Sequence, residues 1–359
     1  MKNILPNLVT VFLLFSNAYV FSQAKPQEPH PPFAYLSEDV EFNAKTDEVK
    51  LAGTLTLPKE GTNFPAVILI SGSGAQDRNS ELLGHKPFLV ISDYLTKNGI
   101  AVLRVDDRGK GMSGGDYALS SMNDFKGDTE AATAFLRKRK DIDTAKIGLI
   151  GHSLGGVLAP MIASEDKNIA FIILLAGTGM RGDKLMLLQK KNIEEKMGMS
   201  NVVIENGQED IGGAYKIILG AKSYSPKLEK KLKKHFEEKM GNQLSEDLIK
   251  AISHQLNYPW MFDFIRFDPA TVLAKVNCPV LALNGSKDVQ VPAKPNLQII
   301  EESLKSNDNQ DVTIIELEGL NHLFQECNTG LPQEYAVIEQ TFSPDVLALM
   351  KDWIVEKMK

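Results

Sequence analysis

The sequence predicts an α/β fold: a mostly parallel central sheet flanked by helices, with an all-helical cap insertion. Three observations predict it. Short apolar runs alternate with longer stretches of helical spacing, the signature of strands buried on both faces and the helices that cross between them. One apolar run is joined to a following helix by the glycine-rich turn Gly151-His152-Ser153-Leu154-Gly155-Gly156. Between Thr178 and about Asp268 the alternation stops and only helical spacing remains.

In chain order, residues 39–42 and 49–57 largely alternate apolar and polar side chains and suggest an antiparallel entry pair closed by Pro58-Lys59-Glu60-Gly61. Strands are then expected at 66–70, 100–105, 147–150 and 169–175, with helices over 88–98, from 124 to about 140, and after Ser153. Two late strands, 279–284 and 312–317, and a last helix near 344–358 complete the pattern. Val346, Leu347, Leu349, Met350, Trp353 and Ile354 in that helix recur at core-packing spacing. In the insertion, the Lys- and Glu-rich stretch 227–239 reads as a solvated helix face. A helical insertion between two strands can lie over the carboxyl edge of a parallel sheet, where ligands bind. The expected organisation is therefore a signal peptide over 1–24, a linker over 25–34, a core in two parts (35–178 and 268–359) and the cap over 179–267.

The ends and the composition narrow the class. Met1-Lys2-Asn3 gives a short positive start, the apolar stretch 8–15 is too short to span a bilayer, and Ser22-Gln23-Ala24 has the small-residue spacing of a cleavage site. This predicts export, secreted or periplasmic, with cleavage after Ala24 and no stable membrane insertion afterwards. An uncleaved anchor is the alternative. At 359 residues, 43% hydrophobic content and a net charge of −6, the chain is an ordinary globular one, with no basic stripe to bind nucleic acid. Cys278 and Cys327 fall at opposite ends of strand-length segments, about 20 Å apart, so two free thiols are expected.

The chemistry centres on Ser153. A serine at a strained strand-to-helix turn has its hydroxyl raised above the sheet, and the helix start offers free N–H groups. A plain glycine turn is the alternative. The serine needs a base, and the base an orienting partner. Among six histidines, His30 lies in the linker, His235 and His254 in cap segments and His85 in a loop, while His152 adjoins the serine and is expected to pack. His322, directly after the strand ending near Leu317, is the candidate base. Asp288 is the first carboxylate after the preceding strand and the candidate orienting acid, with a turn role as its rival. For the oxyanion, Leu154 N–H is one donor; the second comes from Ser71-Gly72-Ser73-Gly74, with Ser73 preferred and Gly74 the alternative.

These residues carry a resemblance. The stretches 51–58 (Leu-Ala-Gly-Thr-Leu-Thr-Leu-Pro), 71–79 (Ser-Gly-Ser-Gly-Ala-Gln-Asp-Arg-Asn) and 104–116 (Arg-Val-Asp-Asp-Arg-Gly-Lys-Gly-Met-Ser-Gly-Gly-Asp), together with 151–156, 283–292 and 319–325, resemble the α/β-hydrolase superfamily. More narrowly they are similar to its exported, helical-capped carboxylesterases with a serine-aminopeptidase-like domain. The likeness spans residue 35 onward, and the order Ser153, Asp288, His322 is that of the superfamily's triad. It implies an α/β-hydrolase fold and hydrolysis of small carboxylic esters through an acyl-enzyme, with no metal or organic cofactor. Ser-Gly-Ser-Gly departs from the His-Gly of many such first loops, which leaves the second oxyanion donor open. Asp77-Arg78 and Asp107-Arg108 read as loop braces first and substrate contacts second.

Two rival readings remain. A peptidase acting on short peptides would use the same triad and need a subsite for the peptide's amino end; Glu194, Glu195, Glu205, Glu209 and Asp210 are candidates, with exposed cap charge the default. A binding protein that kept the fold without catalysis is the second.

Overall fold

The computed structural model describes residues 25–359. The expected export segment and its cut after Ala24 lie outside the described residues. The chain divides into two compact units.

The larger unit is built on one eight-stranded sheet in the order β1-β2-β4-β3-β5-β6-β7-β8. Its entry pair, β1 (Tyr35–Asn43) and β2 (Lys50–Pro58), is antiparallel, and β2 also meets β4 antiparallel. From there the pairings of β3 (Phe64–Ile70), β4 (Ala101–Val105), β5 (Ile142–His152), β6 (Phe171–Leu175), β7 (Val280–Gly285) and β8 (Val312–Leu317) are all parallel. The strands β3 to β7 are apolar runs because helices cover them. α1 (Pro87–Lys97) and α11 (Pro344–Lys357) bury Phe88, Ile91, Leu95, Met350, Trp353 and Ile354 against Val67, Ile150, Ile173 and Leu281. α2 (Met122–Arg137) follows β4, α3 (Gly155–Glu165) packs on β5 and β6, and α10 (Ala293–Lys305) packs on β7 and β8.

The entry pair is antiparallel, as its alternation suggests, although burial along β2 does not follow that alternation: seven of its nine residues are buried, Thr54 and Thr56 among them. β5 begins at Ile142, five residues before the apolar run, since Phe64 pairs with Ile142 ahead of a register shift that brings Ala66 opposite Ile147. The stretch read as a linker is fastened rather than free. Gln27 Oε1 accepts the N–H groups of Thr341 and Phe342 (2.5 and 3.0 Å), and its Nε2 donates to the Phe342 carbonyl at 2.8 Å. Cys278 and Cys327 are separate free thiols.

The smaller unit takes Ala118–Met122 and Arg181–Phe267 and its regular elements are helices: α4 (Gly182–Lys196), α5 (Asn201–Leu219), α6 (Pro226–Met240), α7 (Glu246–Gln255) and α8 (Pro259–Arg266). Short α9 (Ala270–Leu273) lies back in the larger unit. Leu228, Leu232, Phe236 and Met240 form the buried stripe of α6, and its Lys and Glu residues pair along the outer face, as the composition predicts. Arg266 donates to the carbonyls of Ile218, Leu219 and Ala221 and so caps the end of α5.

Candidate active site

The serine turn is strained where the sequence says it should be. Ser153 has φ +52°, a left-handed conformation that costs a non-glycine residue on the order of 1–3 kcal/mol. The strain is held by neighbours: Ser153 N–H donates to the Leu175 carbonyl at 2.9 Å, and Gly156 N–H returns to the Ser153 carbonyl at 2.9 Å. A side chain at Gly151 would strike the Gly155 carbonyl, and one at Gly155 would strike the carbonyls of Ile70 and Ser71. The turn therefore sits directly against the end of β3 and the start of its loop.

Asp288 and His322 form a buried pair. His322 Nδ1 lies 2.7 Å from Asp288 Oδ2, with the two side chains 7% and 0% exposed. Asp288 Oδ1 accepts the N–H groups of Gln290 (2.8 Å) and Val291 (2.9 Å), which fixes the carboxylate after β7. An ionised carboxylate only accepts, so the imidazole proton sits on Nδ1 and Nε2 is left as the acceptor. The loop after β8 is tied by Asn321, whose Oδ1 accepts from Leu323 and Gln325 N–H and whose Nδ2 donates to Gln325 Oε1. Among the described residues Ser153 Oγ makes no hydrogen bond to His322. In ligand-free sites such bonds are often long.

His152 connects the two loops, and packing alone does not describe it. Its Nε2 lies 2.9 Å from the His322 carbonyl, and the two rings are 4.8 Å apart. A carbonyl only accepts, so His152 carries its proton on Nε2. Burial, and then the charge His322 can carry, push the His152 pKa down to about 3, partly offset by that hydrogen bond. It is a neutral donor across the working range. The sequence gives one signal for it, adjacency to Ser153; the carbonyl it meets is 170 residues away.

The loop after β3 faces the serine from the other side. A Cβ on Gly72 would come within 3.3 Å of both Ser153 Cβ and His152 Nδ1. Of the two candidate oxyanion donors in this loop, Gly74 gives its N–H to Tyr117 Oη at 3.0 Å. Leu154 stands at the N-terminal end of α3. The Asp-Arg pairs brace loops, with partners the sequence does not reveal. Arg78 pairs with Asp106 at 2.6 Å and Asp39 at 3.0 Å, and Arg108 with Asp47 and Asp128 at 2.6 and 2.7 Å. Asp107 instead accepts from Ser71 Oγ and Gln76 N–H.

The acidic candidates of the helical unit separate. Glu195, Glu205 and Glu209 are exposed and Asp210 is half-buried, whereas Glu194 is buried in an ion pair with Lys190 at 2.5 Å. His235 bonds the Asp210 carbonyl and His254 approaches Glu229, both within that unit. His85 is wholly buried, held by Thr341 and the Tyr335 carbonyl. Among the described residues no group of three or more His, Cys, Asp or Glu side chains is arranged to hold a metal ion. No helix among them is long and apolar enough to cross a membrane.

A family model described as X-Pro dipeptidyl-peptidase (S15 family) matches residues 47–316, three quarters of the chain. The chain belongs to the S15 family. It is also 26% identical over 296 residues to the esterase EstD of Thermotoga maritima, covering 81% of this chain and 61% of that protein. The S15 chain thus spans less than two thirds of that relative's length. An uncharacterised 31.7 kDa protein of Escherichia coli is 22% identical, covering 84% of this chain and 94% of its own. In fold, the chain is similar to an esterase of Pyrococcus furiosus (TM-score 0.55, 18% identity, 90% and 94% covered) and to the α/β hydrolase GrgF of Penicillium sp. sh18 (0.56, 17%, 90% and 99%). The S15 chain is a member of the α/β-hydrolase superfamily, with the mostly parallel sheet and flanking helices the sequence predicts.

Proposed function

We propose that this S15-family chain is an exported serine hydrolase that cleaves carboxylic esters of small substrates through an acyl-enzyme. The observation that carries the reading is the buried 2.7 Å Asp288–His322 pair, on the loops after β7 and β8, joined through His152 to the strained Ser153 turn. In this reading Ser153 Oγ attacks the ester carbonyl while His322 Nε2 takes its proton, and Asp288 stabilises the imidazolium. The oxyanion is held by the N–H groups of Leu154 and Ser73, since Gly74 N–H is engaged by Tyr117. His322 returns its proton to the leaving alcohol, and a water repeats the cycle to release the acid. The chemistry uses no cofactor.

The helical insertion is read as the cap that selects substrates, from its place in the chain between β6 and β7. Residues 1–24 are read as the export signal, and intact mass of the exported protein, beginning at or near Lys25, is the check on that cut.

The deciding experiment is a p-nitrophenyl ester series from acetate to dodecanoate, run on wild type and Ser153→Ala. Turnover that is greatest for short chains and drops by about 10⁴-fold or more in the variant supports the reading. A wild type that turns over no ester, and whose Ser153 a fluorophosphonate leaves unlabelled, rejects it. The peptidase reading is favoured by one finding, the S15 family's description as X-Pro dipeptidyl-peptidases. X-Pro p-nitroanilides assayed beside the esters separate the two by their ratio of kcat/KM.

A further inference from the structure

The 71–76 loop is made of small and polar residues and has little apolar surface with which to pack. Beside it lies a partly open pocket of about 50 Å³, lined by Ser71, Gly72, Asp107, Tyr117 and Leu154 among others. A segment with a void on one side is kept in place by directed bonds rather than by contact. Asp107 supplies three of them. Its Oδ1 accepts from Ser71 Oγ at 2.6 Å, its Oδ2 accepts from Gln76 N–H at 2.8 Å, and its own N–H donates to the Gln76 carbonyl at 3.0 Å. Tyr117 Oη adds a fourth through Gly74 N–H. Both ends and the middle of the loop are thus fastened from the segment after β4.

Among the described residues no cation lies within ion-pair distance of Asp107, and the nearby arginines pair elsewhere. Arg78 is committed to Asp106 and Asp39, and Arg108 to Asp128 and Asp47. A carboxylate spared from ion pairing, yet bonded to the loop at two points, is placed to orient that loop.

We propose that Asp107 is a positioning residue of the reaction: it holds the 71–76 loop so that a backbone N–H of that loop meets the oxyanion formed at Ser153. The inference rests on the Ser153 reading above and deepens it. Asp107 touches no reacting atom; its action passes through Ser71 and Gln76. Donors aimed at developing charge lose effect when displaced by fractions of an ångström. Loss of the bracing bonds therefore lowers kcat and leaves KM nearly unchanged.

The test compares Asp107→Ala, Asp107→Asn and Ser71→Ala with wild type on one short p-nitrophenyl ester. Asp107→Ala is expected to lower kcat about 10-fold or more, with KM within about twofold. Asp107→Asn, whose amide oxygen accepts Gln76 N–H and whose amide nitrogen donates to Ser71 Oγ, is expected to stay within about threefold of wild type. Ser71→Ala, which keeps the Gln76 bond, falls between. Should Asp107→Ala fail to fold, Ser71→Ala and Tyr117→Phe carry the test, each removing one tether. A kcat equal to wild type in Asp107→Ala, or in both single-tether variants, overturns the proposal, as does Asp107→Asn failing as badly as the alanine. A wild type inert to esters with Ser153 unlabelled brings down the site reading itself, and with it this one.

Discussion

Asp107 carries a second consequence, in stability. Burial first, then Asp128 and Asp106, push its pKa up from the ordinary 3.8 to about 7, against the hydrogen bonds from Ser71 and Gln76 that lower it. The groups around it are Asp106, Asp128 and the Tyr117 hydroxyl, with Arg78 and Arg108 turned to other carboxylates. A carboxyl that binds its proton more tightly folded than unfolded favours the folded state most below its unfolded pKa, and loses that advantage as pH climbs to about 7. Asp107→Asn removes the dependence. Thermal unfolding at pH 5 and pH 8 should show the variant gaining on wild type at the higher pH; a constant difference would place the titration elsewhere. At this scale much was legible. Ser153, Asp288 and His322 each follow a strand end, and strand ends are local patterns. The partners of His152, Asp107 and Arg108 were not, because hydrogen bonding across loops depends on where distant backbone comes to rest.

Elements show the same division. Strands β3 to β7 could be read because burial on both faces leaves mainly apolar runs, with Arg104 in β4 and Asn284 in β7 as exceptions. The threonines of β2 give it an alternating pattern, yet Thr56 is buried and bonds Ser92 and Thr96 of α1. Within the helical unit, α4 conceals an ion pair that its charged sequence suggests should face water. Lys190 Nζ lies against Gly207 of α5, where any side chain would collide with it. Removing one member of a buried pair leaves the other as an uncompensated charge, whereas replacing both by apolar groups is often neutral. Lys190→Met is therefore expected to destabilise the protein by about 3–5 kcal/mol, and Lys190→Met with Glu194→Leu to recover most of it. Urea unfolding of both variants is the measurement. Equal losses in the two would mean that packing at 190 matters more than charge.

Across the molecule, the N-terminal stretch is the part composition described least well. Proline, glutamine and lysine in succession look like spacer, but Lys25 donates to the carbonyls of Ala336 and Ile338, Glu28 pairs with Lys86, and Gln27 meets residues 341 and 342 on both backbone edges. Polar side chains that bond backbone far along the chain leave no periodicity for a sequence reading to detect. Gln27→Ala strips partners from three backbone groups at Thr341 and Phe342 at once and should cost about 1–3 kcal/mol. A thermal unfolding midpoint unchanged in that variant would mean the strap is only laid on the surface.

That strap also imposes an order of events. Gln27 is among the first described residues to be synthesised, and its partner Phe342 comes 315 residues later. Ser343 N–H in turn closes onto the Phe324 carbonyl, two residues beyond His322. The nascent chain can pair β3 to β7, and the histidine loop can make its own bonds and those to Asp288 and His152, before this knot can be tied. A polypeptide stopped short of Thr341 would lack only the last tie at Phe324, a built-in delay between forming the candidate site and locking it.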